Sequence, residues 1–243
     1  SYFNNQHKST LFIEPSCGDG RLLEALLSSS LFQKLSPSSL STLSTLSTTS
    51  IMNNHTYLIG CDIDPIIGKI AKEKITPYSN NSQVLISNFL DLSRNNLISS
   101  EVISPSSDII VFGNPPYTTG GGTGNIVENG NPSEDTGRDL PHQFIVHSIV
   151  HLNASLIIFM LPTRCSNELF IERCKSEIKR QTLIDSNIDN WIVSQITPIN
   201  NEFDFCNRVI RQPVIIQIWE RKEIIEQNQT IVGEVSVNEE VKI

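Results

Sequence analysis

Asn114, Pro115, Pro116 and Tyr117 are consecutive, and together they have a definite chemical capacity. An amino group on an aromatic or amide carbon is a poor nucleophile, because its lone pair is delocalised into the π system. If the Asn114 side-chain oxygen and the Pro115 carbonyl each accept one of its N–H bonds, the nitrogen is drawn toward tetrahedral geometry. Its lone pair then points at an electrophile held in line. The two prolines keep that carbonyl rigid, and the Tyr117 ring is suited to stacking on a flat substrate. No covalent enzyme intermediate is needed, and orientation alone contributes roughly 7–11 kcal/mol to such a displacement. By itself the tetrapeptide also reads as an ordinary loop, since Asn-Pro and Pro-Pro favour turns. Its surroundings decide between the two.

Those surroundings repeat one pattern: an apolar run that ends in polar or glycine residues. Leu11 to Glu14 reads as a strand, Pro15-Ser16-Cys17-Gly18-Asp19-Gly20 as a turn, and Arg21 to Leu27 as a helix. Tyr57 to Cys61 is a second strand, followed by Asp62-Ile63-Asp64-Pro65, where Pro65 suits the first turn of a helix running to about Lys74. Val84 to Ser87 leads into Asn88-Phe89, and Asp108 to Phe112 runs into Gly113 and the tetrapeptide. Without a Cβ, Gly18 and Gly20 let a ligand approach the backbone, while Glu14 and Asp19 supply negative charge. Asp62 can accept hydrogen bonds from both hydroxyls of a ribose, as in dinucleotide-binding folds, and Asp64 reads as a helix N-cap. Asn88 offers an amide and Phe89 an apolar ring to a flat heterocycle, with Asp91 as a rival for the polar role. In open α/β sheets ligands bind beyond the carboxyl ends of the strands, and here four such ends carry the informative residues.

The remaining elements supply the scaffold. Pro141 to His151 and Asn167 to Arg180 read as helices, Ser155 to Leu161, Trp191 to Ile196 and Val214 to Glu220 as strands. Seven strands alternating with helices predict a mostly parallel sheet covered on both faces, in one domain spanning 1–243. Residues 28–55 collapse into Ser and Thr with a Ser-Thr-Leu repeat and read as a disordered insertion. The glycine-rich segment 118–139 reads as a flexible loop, and 222–243 as a polar tail.

Composition excludes several classes. A chain of 243 residues with 38% apolar residues can build its own core without staples. Its five cysteines lack Cys-x-x-Cys spacing, which argues for reduced thiols, no metal site and an intracellular setting, cytoplasmic or nuclear. No apolar run is long enough to span a bilayer. The net charge of -8 argues against a broad nucleic-acid surface. Arg164, Arg173, Lys175, Lys179 and Arg180 crowd one segment, but Glu168, Glu172 and Glu177 interleave with them and predict a solvated helix face. His147 and His151, four apart on one helix, lack a third ligand and read as a semi-buried pair. Phe144 reads as a core aromatic.

The succession Glu-Pro-Ser-Cys-Gly-Asp-Gly, Gly-Cys-Asp-Ile-Asp-Pro, Ser-Asn-Phe-Leu and Gly-Asn-Pro-Pro-Tyr resembles class I S-adenosylmethionine-dependent amino-methyltransferases, the DNA adenine enzymes and their RNA-modifying relatives. The resemblance covers Leu11 to Tyr117. It implies a Rossmann-like α/β fold, a seven-stranded, mostly parallel sheet whose last strand is antiparallel. It implies S-adenosylmethionine as cofactor, held by Glu14, Pro15, Ser16, Cys17, Gly18, Asp19, Gly20, Asp62, Ile63, Asn88 and Phe89. Asn114, Pro115, Pro116 and Tyr117 would be the catalytic loop, acting on N6 of adenine in RNA or DNA. Three features depart from the pattern. Only about ten residues precede the first strand and Ser1 stands first, so the chain reads as a fragment; a polar tail stands where a target-recognition domain would follow; and the charge is acidic. These point to structured RNA, a partner subunit that supplies target binding, or a non-nucleic acceptor. Two rival readings remain: a protein glutamine amide as the acceptor, since the same four residues also resemble the loop that release-factor methyltransferases use, and an inactive methyltransferase-fold partner subunit.

Overall fold

The computed structural model describes residues 9–29, 56–78, 82–117, 139–182, 191–199, 203–205, 208–210 and 213–221. Apart from Ser28, Ser29 and Asp139, the Ser/Thr-rich stretch, the glycine-rich loop and the polar tail lie outside them. The strands are β1 (Thr10–Glu14), β2 (Thr56–Asp62), β3 (Ser82–Ile86), β4 (Asp108–Gly113), β5 (Leu156–Pro162), β6 (Trp191–Ile199), β7 (Phe203–Phe205), β8 (Arg208–Ile210) and β9 (Val214–Arg221). The helices are α1 (Arg21–Ser28), α2 (Pro65–Ile75), α3 (Arg94–Ser99), α4 (Leu140–Val150) and α5 (Glu168–Gln181).

Seven strands form one sheet in the order β3-β2-β1-β4-β5-β9-β6, and β7 pairs with β8 in a separate hairpin. The pairs β1–β2, β1–β4, β2–β3 and β4–β5 are parallel, whereas β9 runs antiparallel between β5 and β6. The expected fold is the one observed. Because β1 lies between β2 and β4, the strand order reverses there and opens a crevice at the carboxyl ends of β1 and β4.

Alternation along the strands sorts side chains onto two faces. On β1, Leu11 and Ile13 join the larger core with Leu97 of α3, Phe144 and Ile145 of α4 and Phe170 of α5. Phe12 packs on the smaller core with Leu23 and Leu27 of α1 and Ala71 and Ile75 of α2. Helices therefore cover both faces. The helix ends follow local chemistry. The Asp64 carboxylate accepts from the Ile66 and Ile67 N–H groups at 2.8 and 3.2 Å, just ahead of Pro65, as an N-cap should. Asn167 caps α5 by accepting from the Phe170 N–H at 2.7 Å.

Helix α3 and the β7–β8 hairpin are absent from the sequence reading. Both are short, and Arg94-Asn95-Asn96 is weak helix-forming sequence. Tertiary contacts hold α3: Leu97 is buried, Ser93 caps the first turn, and the Arg94 guanidinium donates to the Pro105 and Ser107 carbonyls. Strand β6 extends three residues past the expected Ile196, through Pro198, which an edge strand tolerates because that N–H side needs no partner.

Gly20 is where α1 meets α2. Its φ is +78°, and a Cβ there would lie 3.0 Å from the Ala71 Cα. Gly20→Ala is expected to lower the unfolding free energy by about 1–3 kcal/mol, the range for a strained non-glycine backbone, read as an earlier urea midpoint. An unchanged midpoint would show that α2 yields without loss.

Candidate active site

The turn after β1 and the corner after β4 lie against each other. Gly113, with φ +137°, has no room for a side chain, because a Cβ would lie 3.0 Å from the Glu14 Cγ and 3.5 Å from the Pro15 Cδ. One residue on, the Ser16 hydroxyl donates to the Asn114 backbone carbonyl at 2.9 Å. Two segments about a hundred residues apart in sequence are thus joined at the crevice. Asn114 and Pro116 are exposed, Pro115 is buried and Tyr117 is half-buried. Burial pushes the Tyr117 phenol up to about 12, with Cys165 adding to the shift and Arg164 opposing it, so the ring stays neutral.

The turn is also tied to β2. The Gly18 N–H donates to Asp62 Oδ2 at 2.8 Å, the Asp64 N–H to Asp62 Oδ1 at 2.9 Å, and the Cys17 N–H to the Cys61 carbonyl at 2.8 Å. Gly18 adopts φ +52°, and nothing lies within 4 Å of where its Cβ would be. Its missing side chain leaves open space at the crevice.

Glu14 sits beneath this turn. It is 3% exposed, and its Oε2 has no hydrogen-bond partner among the described residues. Burial, with the charges of Asp19 and Asp62 added, raises its pKa to about 8. A buried, unpartnered carboxyl is costly unless something else meets it.

Several of the residues expected to hold the cofactor also have partners within the protein. Cys17 is buried in the smaller core, and its Sγ would lie 3.0 Å from a Cβ at Gly60. The space that Gly20 leaves is filled by Ala71 rather than offered to a ligand. Asp19 is engaged by Arg21 Nε at 2.9 Å and Lys74 Nζ at 3.4 Å. Partial burial raises its pKa, but those two cations outweigh it and hold the carboxylate below its usual range. The Phe89 ring is 2% exposed and packs at 5.0 Å on both Phe144 and His147. It belongs to the core because the 3₁₀ turn Phe89–Asp91 points it under α4, while Asn88 caps that turn by accepting from the Leu90 N–H at 3.1 Å. Ile63, directly after Asp62, is 74% exposed.

Away from the crevice, His147 and His151 stack at 4.8 Å, and His147 Nε2 meets the Leu92 carbonyl at 2.7 Å. Burial lowers the His147 pKa to about 4. Among the described residues no group of three or more His, Cys, Asp or Glu is placed to hold a metal, and no helix is long and apolar enough to cross a membrane. Along α5, Lys175 pairs with Glu172 and Arg180 with Glu177, each at a spacing of three residues rather than four. Arg164 and Arg173 instead reach Asp139 at 3.7 and 2.6 Å. Sequence reasoning missed Arg164, whose Nη2 donates to the Tyr117 carbonyl at 3.1 Å. Its local signal was a charge cluster, and the contact spans 47 residues.

Solved structures share this fold. A candidate RNA methyltransferase, PH1948 from Pyrococcus horikoshii, superposes with a TM-score of 0.51 at 12% identity, over 89% of this chain and 76% of that one. A candidate class I S-adenosylmethionine-dependent methyltransferase from Listeria monocytogenes gives 0.54 at 14% identity, over 89% of this chain and 55% of that one. The chain has the class I methyltransferase fold. At this identity the likeness concerns the fold alone, and the chain spans only about half of the Listeria protein. No family model and no curated protein matches the sequence.

Proposed function

We propose that this chain transfers the methyl group of S-adenosylmethionine to an exocyclic amino nitrogen, and that the acceptor is N6 of adenine in RNA or DNA. The observation that carries this reading is the closure of the Asn114–Tyr117 corner onto the turn after β1, through Ser16 on the Asn114 carbonyl and Gly113 on Glu14. A rigid pair of acceptors beside a ligand crevice is what activation of a flat amine requires.

A cationic nucleoside cofactor fits the residues present. Glu14 offers a buried carboxyl oxygen without a partner, and Gly18 offers open space. Asp62 spends one acceptor site of each oxygen on a backbone N–H, which leaves lone pairs for ribose hydroxyls. Ile63 supplies exposed apolar surface beside it for a purine. When bound, the cofactor supplies an electrophilic methyl group. The Asn114 backbone carbonyl is committed to Ser16, so the two acceptors for the amine are the Asn114 side chain and the Pro115 carbonyl. Both hold its N–H bonds, Tyr117 stacks on the flat acceptor as an uncharged ring, and the surplus proton leaves to solvent once the nitrogen is methylated. A base swung out of its helix, or one in a single strand, would reach the corner. With a net charge of -8, a partner subunit would supply the further phosphate contacts.

The test incubates the protein with tritiated S-adenosylmethionine and, separately, RNA, DNA and a cell-extract protein pool, with Asn114→Ala in parallel. Label in nucleic acid that digests to N6-methyladenosine, or to its 2′-deoxy form for DNA, is the expected result. Label confined to the protein pool would replace adenine by an amide, and equal labelling by wild type and variant would sink the proposal.

A further inference from the structure

The strand β9 contains a polar misfit. In Val214-Ile215-Ile216-Gln217-Ile218-Trp219, Gln217 is fully buried among apolar neighbours. A buried amide needs partners, and Gln217 has two: its Nε2 donates to the Cys165 carbonyl at 3.1 Å, and its Oε1 accepts from the Trp219 indole N–H at 3.0 Å. Cys165 and Trp219 are themselves fully buried. The amide therefore pins the 3₁₀ turn Thr163–Ser166 to β9, the strand next to the β6 edge of the sheet. The Thr163 N–H to the Pro213 carbonyl, at 3.2 Å, and Asn167 Nδ2 to the Arg164 carbonyl, at 2.8 Å, fix the same turn at both ends.

What this pinned turn carries is Arg164. Its guanidinium donates to the Tyr117 carbonyl at 3.1 Å and faces the Asp139 carboxylate at 3.7 Å; Asp139 is held in turn by Arg173 at 2.6 Å. Among the described residues, two side chains hydrogen-bond the backbone of the corner: Ser16 at Asn114 and Arg164 at Tyr117. One donor sits at each end of two prolines that cannot donate for themselves.

We propose that Arg164 is a positioning residue: held by the Gln217–Cys165 bond, it sets the far end of the Asn114–Tyr117 corner and thereby aims the Pro115 carbonyl and the Tyr117 ring. This rests on the corner being catalytic. Arg164 acts through the Tyr117 carbonyl and touches neither acceptor nor cofactor. The Ser16 anchor alone leaves the Tyr117 end able to pivot, and misplacement by about 1 Å lowers rates by about 10²-fold.

The experiment compares Arg164→Gln, Arg164→Lys and Gln217→Leu with the wild type, using S-adenosylmethionine binding by calorimetry, transfer to whichever nucleic acid labels, and amide exchange at Tyr117. Arg164→Gln is expected to lower kcat by about 10- to 100-fold. Cofactor affinity and the acceptor KM should stay nearly unchanged. The Tyr117 amide should exchange faster while Gly18 and Gly20 do not. Arg164→Lys, which keeps one donor, should recover part of kcat, and Gln217→Leu should show the same signature more weakly. A rise in acceptor KM with kcat intact would make Arg164 a substrate-binding cation and overturn the proposal. So would a loss of cofactor binding, or failure of lysine to recover anything. If the wild type labels no acceptor, the methyl-transfer reading fails separately, and the exchange result still decides this one: unchanged Tyr117 exchange in Arg164→Gln refutes it.

Discussion

Asn114→Ala is expected to lower kcat by about 10²–10³-fold, the loss typical when one preorganised polar group at a reacting centre is removed. The Asn114 side chain is exposed, and the contact that holds the corner runs from Ser16 to the Asn114 backbone carbonyl, which alanine keeps. Fold, cofactor affinity and the Ser16 contact should therefore survive, so the loss should fall on kcat rather than on cofactor binding. Asn114→Asp keeps an oxygen acceptor and should retain more activity than alanine. Single-turnover methyl transfer, alongside calorimetric cofactor binding, separates these outcomes. If alanine retains the wild-type kcat, the side-chain oxygen is not an acceptor for the amine, and the catalytic role of the corner falls with it.

The second large effect concerns pH. Glu14 is buried, its Oε2 lacks a partner, and its pKa is raised to about 8 by burial and then by Asp19 and Asp62. A sulfonium and an ammonium group brought beside it favour its ionised form, so binding releases a proton wherever the free protein holds one, below about pH 8. Affinity for S-adenosylmethionine is therefore expected to rise with pH by up to about tenfold per unit below that point and to level off above it. Glu14→Gln should abolish the slope and bind the cofactor weakly at every pH. Stability of the free protein runs the opposite way. The folded pKa lies above the ordinary glutamate value of about 4.5, so the stabilising contribution of the protonated form is complete below about 4.5 and is lost as pH rises through about 8. Thermal midpoints without cofactor should fall from about pH 4.5 to about pH 8 and level off above it, and Glu14→Gln should flatten that fall. Calorimetry in two buffers of different ionisation enthalpy counts the released proton directly; a binding constant independent of pH from about 6 to about 8 would exclude Glu14 as the cofactor's counter-charge.

Much of this architecture is local in origin and was readable from residue order. Apolar runs of four to seven residues, ending in glycine, proline or polar residues, specify strands and the turns after them, because period and turn chemistry act over a few residues. Asp64 with Pro65, and the alternation that divides Leu11 and Ile13 from Phe12, are of this kind. The corner 114–117 and the turn 14–20 were likewise legible as chemistry. What the sequence could not contain is which neighbour each side chain meets across the fold. Phe89 becomes core because α4 lies over it, Gly20 makes room for Ala71, and the Asp19 carboxylate pairs with Lys74 of α2 as well as with nearby Arg21. Glu14 is raised by burial and then by the charges of Asp19 and Asp62, whereas Asp19 is lowered because Arg21 and Lys74 outweigh its partial burial. Arg164 looked like one more surface cation, and Gln217 like a flaw in an apolar strand, until the sheet order placed their turn beside Tyr117. Residues settle local conformation through their own backbone preferences and hydrogen-bonding groups. Charge state, exposure and the partners of a polar atom depend on groups far away in the chain, and those are decided only when the tertiary structure removes water and brings them within a few ångströms.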